Sequence, residues 1–218
     1  LASDGDPGAN YQLARMHATG DGIRIDQDEA FRFLTTAAEA GHTKAMFELS
    51  LRHCYGIGTP VDDQKGVKWL RNAATAEYPD ALYMLGRRHL SGDGVPQEDE
   101  QAARLLGQAS KAGHRGAMAT LGYLYCTGRG VKTNWSAAID WWEKAASAGD
   151  VGICRELKRC YWLGIGVPAD MAEANKWAEA ESEAAVTPDT PEAVWTSLGR
   201  YKCSENDIAR IETEANQG

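Results

Sequence analysis

The sequence predicts an all-α solenoid of about five helix-turn-helix repeats, each 36 residues long. A glycine pair recurs at equal intervals without insertion or deletion, and apolar residues of helical spacing lie on both sides of each pair. Two short helices per repeat cannot bury these apolar faces alone, so neighbouring repeats must stack. The paired glycines are Gly20 and Gly22, Gly56 and Gly58, Gly92 and Gly94, Gly128 and Gly130, and Gly164 and Gly166.

The solenoid is predicted to cover residues 1–181, and a helical capping segment to cover residues 182–218. Residues 1–5 resemble the end of a preceding repeat. Within the segment, Thr187-Pro188-Asp189-Thr190-Pro191 predicts a hinge, followed by a helix from Glu192 to about Tyr201 and a second short helix after Ser204. The five repeats are expected near 6–41, 42–77, 78–113, 114–149 and 150–181.

The first helix of each repeat, helix A, has its apolar residues at positions 4, 5, 8 and 12, counting residue 6 as position 1. The first glycine of the pair then ends helix A in a left-handed conformation. Position 9 is small in four repeats, which predicts a close approach by another helix (Ala14, Ser50, Gly86 and Gly122). Position 8 is always leucine: Leu13, Leu49, Leu85, Leu121 and Leu157.

The second helix, helix B, is predicted to begin after an N-cap residue at position 21: Asp26, Asp62, Glu98, Asn134 or Asp170. Asp26 with Glu29, and Asp170 with Glu173, resemble capping boxes. Positions 28 and 29 predict the buried face: Phe33, Leu34, Trp69, Leu70, Leu105, Leu106, Trp141, Trp142 and Trp177. Helix B is expected to end at Gly41, Gly113 and Gly149, and in the second repeat at Glu77-Tyr78-Pro79, because proline cannot continue a helix.

Composition argues against several classes of function. The net charge of −8 and the absence of a basic stripe argue against nucleic-acid binding. No apolar run reaches the length needed to cross a bilayer. The sequence contains no G-x-S-x-G, H-E-x-x-H or C-x-x-C motif. We therefore expect no catalytic residues, no cofactor and no metal.

Three histidines form a regular row, because His17, His53 and His89 occupy the same position of consecutive A helices. A row of imidazoles can bind zinc or titrate near neutral pH. Equivalent helices lie about 10 Å apart, however, which is too far for one ion to be shared. The three are predicted to be packed in the interior. Carboxylates such as Asp62 and Asp63 are interpreted as helix caps rather than calcium ligands.

The five cysteines make a fully paired disulfide framework impossible. Cys54 and Cys126 lie two repeats apart, and Cys154 and Cys160 are separated by about 9 Å along one helix, so neither pair can bond. A bond from Cys203 to Cys154 or to Cys160 stays open.

The repeat columns resemble Sel1-like repeats, a branch of the tetratricopeptide superfamily, with the pattern A-x3-LG-x2-Y-x2-GxGV-x2-D followed by a helix that ends in two alanines and a glycine. The resemblance covers residue 6 to about residue 181. It implies a right-handed α-α superhelix in which helix A lines the concave side. It also implies use as a protein-binding scaffold.

The same resemblance implies which side chains face the groove, namely positions 6, 7, 10, 13 and 14 of helix A. These positions are rich in aromatic, aliphatic and arginine residues, the composition of binding hot spots. About a third of them are expected to pack against neighbouring helices instead. The same columns also contain Cys54, Leu90, Ala119, Cys126 and Leu163. The candidate partner-binding residues are Tyr11, Arg15, Phe47, Leu51, Tyr55, Tyr83, Arg87, Tyr123, Arg159 and Trp162.

We therefore expect a non-enzymatic scaffold or adaptor that holds a partner protein or peptide in its groove, with arginine forks to carboxylates. The acidic net charge would suit a partner with basic regions around a hydrophobic contact. One alternative is an inhibitor or immunity protein that neutralises a toxin enzyme, and another is an enzyme that binds or hydrolyses cell-wall fragments. The partner would be a toxin or effector enzyme or an envelope protein. The unbound chain is expected to be a monomer, without nucleic acid or a membrane span.

The compartment is an expectation from the same resemblance. Kinship with bacterial members of the family favours a periplasmic or exported protein, with the cytoplasm as the alternative.

Overall fold

Helices A and B alternate through the part of the chain that the computed structural model describes, residues 6–185, with side chains to residue 182. Ten α-helices and no strand occur in this range. The A helices are α1 (Pro7–Thr19), α3 (Thr43–Tyr55), α5 (Pro79–Ser91), α7 (Arg115–Thr127) and α9 (Cys154–Leu163). The B helices are α2 (Gln27–Glu39), α4 (Asp63–Thr75), α6 (Asp99–Lys111), α8 (Trp135–Ser147) and α10 (Met171–Ala185).

The fold is an all-α helical repeat solenoid, as predicted. The chain divides into unit 1, residues 1–112, and unit 2, residues 113–218. Unit 1 contains α1 to α6, and unit 2 contains α7 to α10 together with a single 3₁₀ turn at Val151–Ile153. The predicted capping segment beyond residue 185 and Cys203 lie outside the described residues. The other four cysteines are free thiols.

The turn from helix A to helix B is the same in all five repeats. The first glycine of each pair has a φ between 70° and 78°, the left-handed conformation that terminates helix A. The backbone N–H of each helix B N-cap residue then donates to a carbonyl in the last turns of helix A. Examples are Asp26 to His17 at 3.0 Å and Asp62 to His53 at 2.8 Å. This bond folds helix B back along its own helix A.

The same bond explains why the predicted capping boxes form only in part. The Asp26 carboxylate accepts from the backbone N–H groups of Asp28 and Glu29, as a cap should. The reciprocal bond from Glu29 does not form, because the Asp26 N–H is already held by helix A. Glu29 pairs with Arg32 instead. At Glu98 the cap has no side-chain bond at all.

The turn from helix B to the next helix A corrects one sequence prediction. Glycines with φ near 90° end three of the B helices (Gly41, Gly113 and Gly149), and Glu77 takes the equivalent place with a φ of 58°. Glu77 therefore adopts the left-handed conformation that glycine adopts elsewhere. Pro79 does not stop α4, which ends at Thr75. Pro79 is the first residue of α5, where its missing N–H costs nothing.

Small residues set the distance between helices in both units. In unit 1, Leu34, Leu70 and Leu106 on the B helices are completely buried beside fully buried alanines such as Ala37 and Ala73. In unit 2, a β-carbon on Gly122 would overlap the Trp142 indole. That indole Nε1–H donates to the Ala119 carbonyl at 3.2 Å. The position 28 aromatics Phe33, Trp69, Trp141 and Trp177 are only half-buried.

Candidate protein-binding surface

The A helices of unit 1 present a mixed aromatic, aliphatic and arginine surface, here called the A face and made of Arg15, Leu51, Tyr55, Tyr83 and Arg87. Arg15, Leu51 and Arg87 are each the ninth residue of a 13-residue helix, so they take equivalent places on α1, α3 and α5. Arg15 and Tyr55 are exposed, and the other three are half-buried. The A face therefore combines accessible charge with accessible apolar area.

Tyr83 and Arg87 form one unit on the surface of α5. They are four residues apart, which places them on the same side of the helix. The Arg87 guanidinium carbon lies 5.7 Å from the centre of the Tyr83 ring, within the range of a cation–π contact. Phe47 of α3 packs against Tyr78 with ring centres 5.3 Å apart, so it contacts the next repeat.

Tyr11 does not contribute to the A face, although its position in α1 matches that of Tyr83 in α5. Its side chain is only 5% exposed, and its hydroxyl donates to Glu48 Oε1 at 2.5 Å. The ring stacks on His42 with centres 4.4 Å apart. Burial, followed by the Glu48 carboxylate, raises the pKa of Tyr11. Tyr11 links the first two repeats instead. Leu90 of α5 is buried as well.

Two exposed residues that the sequence prediction missed extend the apolar area beside Tyr55. Ile57 lies between the two turn glycines, and Val61 packs over Gly56, where a β-carbon would come within 2.8 Å of Val61 Cγ2. Both side chains are exposed. The signal was present in the sequence, since the second and fifth turns read Gly-Ile-Gly where the others have aspartate or arginine.

Unit 2 has a corresponding surface on α7 and α9. Trp162 is 61% exposed and Leu163 is 51% exposed, which is unusual for side chains of this size. Arg159 is half-buried on the same helix. Tyr123 of α7 is half-buried and packs edge-on against Trp142, with ring centres 5.2 Å apart. Ala119 and Cys126, in the same columns, are buried.

A charged cluster, here called the seam and made of Cys54, Asp63, Arg88 and Gly94, joins the second and third repeats. The side chain of Arg88 is 10% exposed. It donates from Nη2 to Asp63 Oδ1 at 2.9 Å and from Nη1 to Asp63 Oδ2 at 3.2 Å. It also donates to the Asp93 carbonyl at 3.1 Å and lies 3.3 Å from the Cys54 sulfur. Gly94 is tightly enclosed, since a β-carbon there would overlap Asp63.

The pKa values of the seam follow from this geometry. Burial by itself lowers the pKa of Arg88, but the hydrogen bond to Asp63 and the neighbouring negative charges raise it overall. The same hydrogen bond holds the pKa of Asp63 below its usual value. Burial raises the pKa of the Cys54 thiol to about 11. The seam is thus a neutral thiol beside a fixed ion pair.

Two of the three histidines, His53 and His89, are buried as predicted, whereas His17 is half-buried. His17 stacks on Phe33 at 5.6 Å, and His53 meets the edge of Phe31 at 5.7 Å between ring centres. His89 Nδ1 lies 3.0 Å from the Pro96 carbonyl oxygen. Among the described residues no three His, Cys, Asp or Glu side chains are grouped as metal ligands. None of the described helices is long and apolar enough to span a bilayer.

Comparison with known proteins agrees with this architecture. The Sel1 repeat profile matches five times, at residues 7–42, 43–78, 79–114, 116–150 and 152–180. A search of curated proteins finds no match.

Solved structures with the same fold come from several bacteria. A Sel1 repeat protein from Oxalobacter formigenes has 29% identity and a TM-score of 0.75, over 83% of this chain and 74% of that one. The protective antigen c5321 of uropathogenic Escherichia coli has 29% identity and a TM-score of 0.78, over 83% of this chain but only 38% of the antigen. The immunity protein Pa5087 of Pseudomonas aeruginosa has 20% identity and a TM-score of 0.54, over 95% of this chain and 80% of that one.

The five profile matches cover most of the chain, in phase with the helices and turns described above. The protein therefore belongs to the Sel1 repeat family.

Proposed function

We propose that this protein is a non-enzymatic scaffold or adaptor that binds a partner protein or peptide on its A helices. One observation carries the proposal: large apolar side chains are exposed on these helices next to arginines. Tyr55 in unit 1, with Trp162 and Leu163 in unit 2, would gain most from being covered. Aromatic residues and arginine are also the residue types enriched at the centres of protein interfaces.

The B helices provide the contrast that supports this choice. Several of their basic side chains pair with an acidic residue three positions earlier, either in the same helix or at its N-cap. Arg32 pairs with Glu29, Lys65 with Asp62 at 3.1 Å, and Lys176 with Glu173 at 3.1 Å. Such exposed pairs are typical of a solvated surface and contribute little energy. The A helix α9 also has such pairs, from Arg155 and Lys158 to Glu181 of α10, but the A helices in addition expose the large apolar side chains of Tyr55, Trp162 and Leu163.

The chemistry of the thiols fits a binding role better than a catalytic one. Burial raises the pKa of Cys54 to about 11 and that of Cys160 to about 12, and it also raises the pKa of Cys154. A nucleophilic cysteine needs a lowered pKa, because the thiolate is the reactive form. These three thiols stay protonated at neutral pH and act as small apolar side chains.

The experiment combines site-specific cross-linking with affinity measurement. A photoreactive amino acid at Leu51 on the A face should capture the partner, and the same group at exposed Lys68 on α4 should not. Replacing Tyr83 and Arg87 together by alanine should then weaken binding of the captured partner about thirtyfold or more, equivalent to about 2 kcal/mol. The melting temperature should change little, because both side chains lie at the surface of α5.

The outcome also separates an adaptor from an inhibitor. The fold of the Pseudomonas aeruginosa immunity protein is similar, but at 20% identity the likeness concerns the fold alone. A partner enzyme that loses its activity at one-to-one stoichiometry would identify an inhibitor, and an active partner an adaptor. Binding that survives the double substitution, or equal capture at Lys68, would show that the A face is not the site.

A further inference from the structure

The fifth repeat exposes two large apolar side chains at positions that pack against the next repeat earlier in the chain. Trp162, at position 13 near the end of α9, is 61% exposed. Met171, at position 22 where α10 begins, is 57% exposed. Trp162 and Met171 are here called the end patch. At position 13 the first four repeats have buried or half-buried residues: Ala18, Cys54, Leu90 and Cys126.

In unit 1, the residues at positions 13 and 22 of the second repeat are contacted by the third repeat. Arg88 Nη2 lies 3.3 Å from the Cys54 sulfur and donates to Asp63 Oδ1 at 2.9 Å. Gly94 closes the same place, because a β-carbon there would overlap Asp63 and come within 3.2 Å of Val67 Cγ2. Both positions of the second repeat are therefore covered by the repeat that follows it.

The same arrangement joins the fourth and fifth repeats in unit 2. Cys126, at position 13, is 3% exposed and belongs to one apolar core with Leu157 and Cys160 of α9. Trp135, at position 22, is half-buried, and a β-carbon on Gly166 would come within 2.5 Å of Trp135 Cβ. The fifth repeat presents the same two positions, and α10 is the last element that the structure describes.

The end patch has the chemistry of a buried contact. The last repeat of a solenoid needs a polar outer face to stay soluble. Asn175 meets this need at position 26, where Val67 and Ile139 are buried in earlier repeats. Trp162 and Met171 do not meet it. Removal of their apolar surface from water would be favourable, which indicates that another segment covers them.

Residues 186–218 directly follow α10 and have a suitable sequence. The next glycine pair of the repeat would fall at Arg200 and Lys202, so this segment is not a sixth repeat. Its sequence nevertheless predicts a helix from Glu192 to about Tyr201. The apolar residues of that predicted helix recur at helical spacing: Val194, Trp195, Leu198 and Tyr201.

The segment is also long enough to reach the end patch. Helix α10 has 15 residues, so its last residue lies about 20 Å from Met171. Residues 186–191 cover about 20 Å when extended, and a helix from Glu192 to about Tyr201 adds about 15 Å. The chain after α10 can therefore turn back along α10 as far as Trp162 and Met171.

We propose that residues 186–218 pack on the end patch, with the apolar side of the predicted helix over Trp162 and Met171. The occupant of this surface is thus a segment of the protein itself. The inference goes beyond the proposed function and changes it in one respect, because Trp162 is then not a partner contact. Tyr55 and Leu163 stay available to a partner, since position 14 is exposed or half-buried in every repeat.

Cross-linking within the full chain tests the contact directly. A photoreactive amino acid at Met171 would be irradiated at several protein concentrations, and the linked peptides would be identified by mass spectrometry. We expect a link within one chain to residues 186–218, with a yield that does not depend on concentration. The same group at Asp140, an exposed position of α8, should not link to that segment.

Coupled substitutions in the full chain test the same contact through stability. Trp162→Ser should lower the melting temperature by about 4 °C or more, because it removes a large covered apolar side chain. The pair Trp195→Ser/Leu198→Ser should lower it as well. All three changes together should lower it by clearly less than the two losses added, because residues in contact are coupled. Trp141→Ser on α8, combined with the same pair, should be additive.

Other results overturn the inference in distinguishable ways. Additive losses at Trp162 and the pair would show that the two regions do not touch. Links from Met171 to a second copy, rising with concentration, would make the end patch a self-association surface. Links only to another protein, or none, would leave the end patch open to a partner. The proposed function is tested separately at Leu51, Tyr83 and Arg87, so it can stand when this inference fails.

Discussion

The A face and the seam share the helices α3 and α5 of unit 1, and both contain arginine, but in different environments. Arg87 and Arg88 are adjacent in α5, yet Arg87 lies on the surface against Tyr83 and Arg88 is enclosed with Asp63 and Cys54. Successive residues of a helix point about 100° apart, so one step along the chain changes the environment completely. Residue type alone therefore does not show whether an arginine contributes to binding or to stability.

The energetic consequences of the two environments also differ. A buried arginine that loses its partner, or a buried carboxylate that loses its arginine, keeps the cost of removal from water. An exposed arginine that is truncated leaves only solvated groups behind. Substitutions in the seam should therefore lower stability, and substitutions on the A face should lower binding.

The largest effect is expected at Gly94, the tightest point of the seam. A β-carbon there would overlap the Asp63 carboxylate and come within 2.7 Å of Arg88 Nη1, at a φ of 67°. We expect Gly94→Ala to lower the free energy of unfolding by about 3 kcal/mol, from left-handed strain together with a disturbed ion pair. Denaturant unfolding would measure it.

Gly41 supplies the matched control for that substitution. It has a φ of 94°, but nothing lies within 4 Å of an added β-carbon. Gly41→Ala should cost only the backbone term, about 1 kcal/mol. Equal losses at the two glycines would mean that the packing of the seam contributes nothing beyond backbone conformation.

The second largest effect is expected at Arg88, the neighbour of Arg87 in α5. Arg88→Ala should lower the free energy of unfolding by about 2 kcal/mol, because it removes charge-assisted hydrogen bonds from a nearly buried side chain. Asp63 is 42% exposed, and water can partly solvate it, which limits the loss. Arg87→Ala should cost less, about 1 kcal/mol, because it removes a cation–π contact made by a half-buried side chain.

Thermal and denaturant unfolding of the two arginine variants would be compared side by side. Arg88→Lys keeps the charge without the two-pronged geometry and should recover only part of the stability. If Arg87→Ala proved as destabilising as Arg88→Ala, the A face would be part of the structural framework and not a separate surface.

The smallest effect concerns His53, which lies near the seam on α3. Burial, followed by the Lys65 charge, lowers its pKa in the folded protein. As the pH falls, the unfolded chain takes up a proton before the folded one does. The contribution of His53 to the free energy of unfolding is therefore complete above about pH 6.5, the pKa of the unfolded chain. It is lost as the pH falls through that value towards the lower pKa of the folded protein.

Denaturant unfolding at pH 7 and pH 5 would show this as a loss of stability in the unmodified protein, and a smaller loss in His53→Phe. Asp62 and Asp63 have lowered pKa values and do not interfere, because their contributions are lost only at more acidic pH. An identical pH dependence in the two proteins would show that His53 is not the titrating group.

The sequence predicted the elements of the fold because their causes are local. Glycine at a left-handed residue and aspartate at an N-cap act within one turn, so Gly56 and Asp62 can be recognised without tertiary information. The end of α4 was correctly placed near Glu77 but wrongly attributed to Pro79, because local preferences do not predict a glutamate in the left-handed conformation. Only the packed repeat can hold a glutamate in a conformation that the isolated chain disfavours.

The candidate surface was predicted from the position of each residue within its repeat, but the same position can be exposed in one repeat and buried in another. Tyr11 and Tyr83 occupy the same position of two A helices, but Tyr11 is drawn into the interior by Glu48 and His42 from the following repeat. Ile57 and Val61, which no groove column includes, are exposed next to Tyr55. Exposure depends on which neighbour covers a side chain, and a repeat pattern does not contain that information.

Within residues 6–185 the sequence by itself determined the repeat length, the order of the helices and the places of the turns between them, because periodicity and backbone preferences are properties of the local chain. Only the tertiary structure decided that Arg88 is paired in the seam while Arg87 faces outward. Those assignments depend on side chains separated by 25 residues or more, such as Asp63 and Arg88. Contacts of that range form only when one repeat packs on the next.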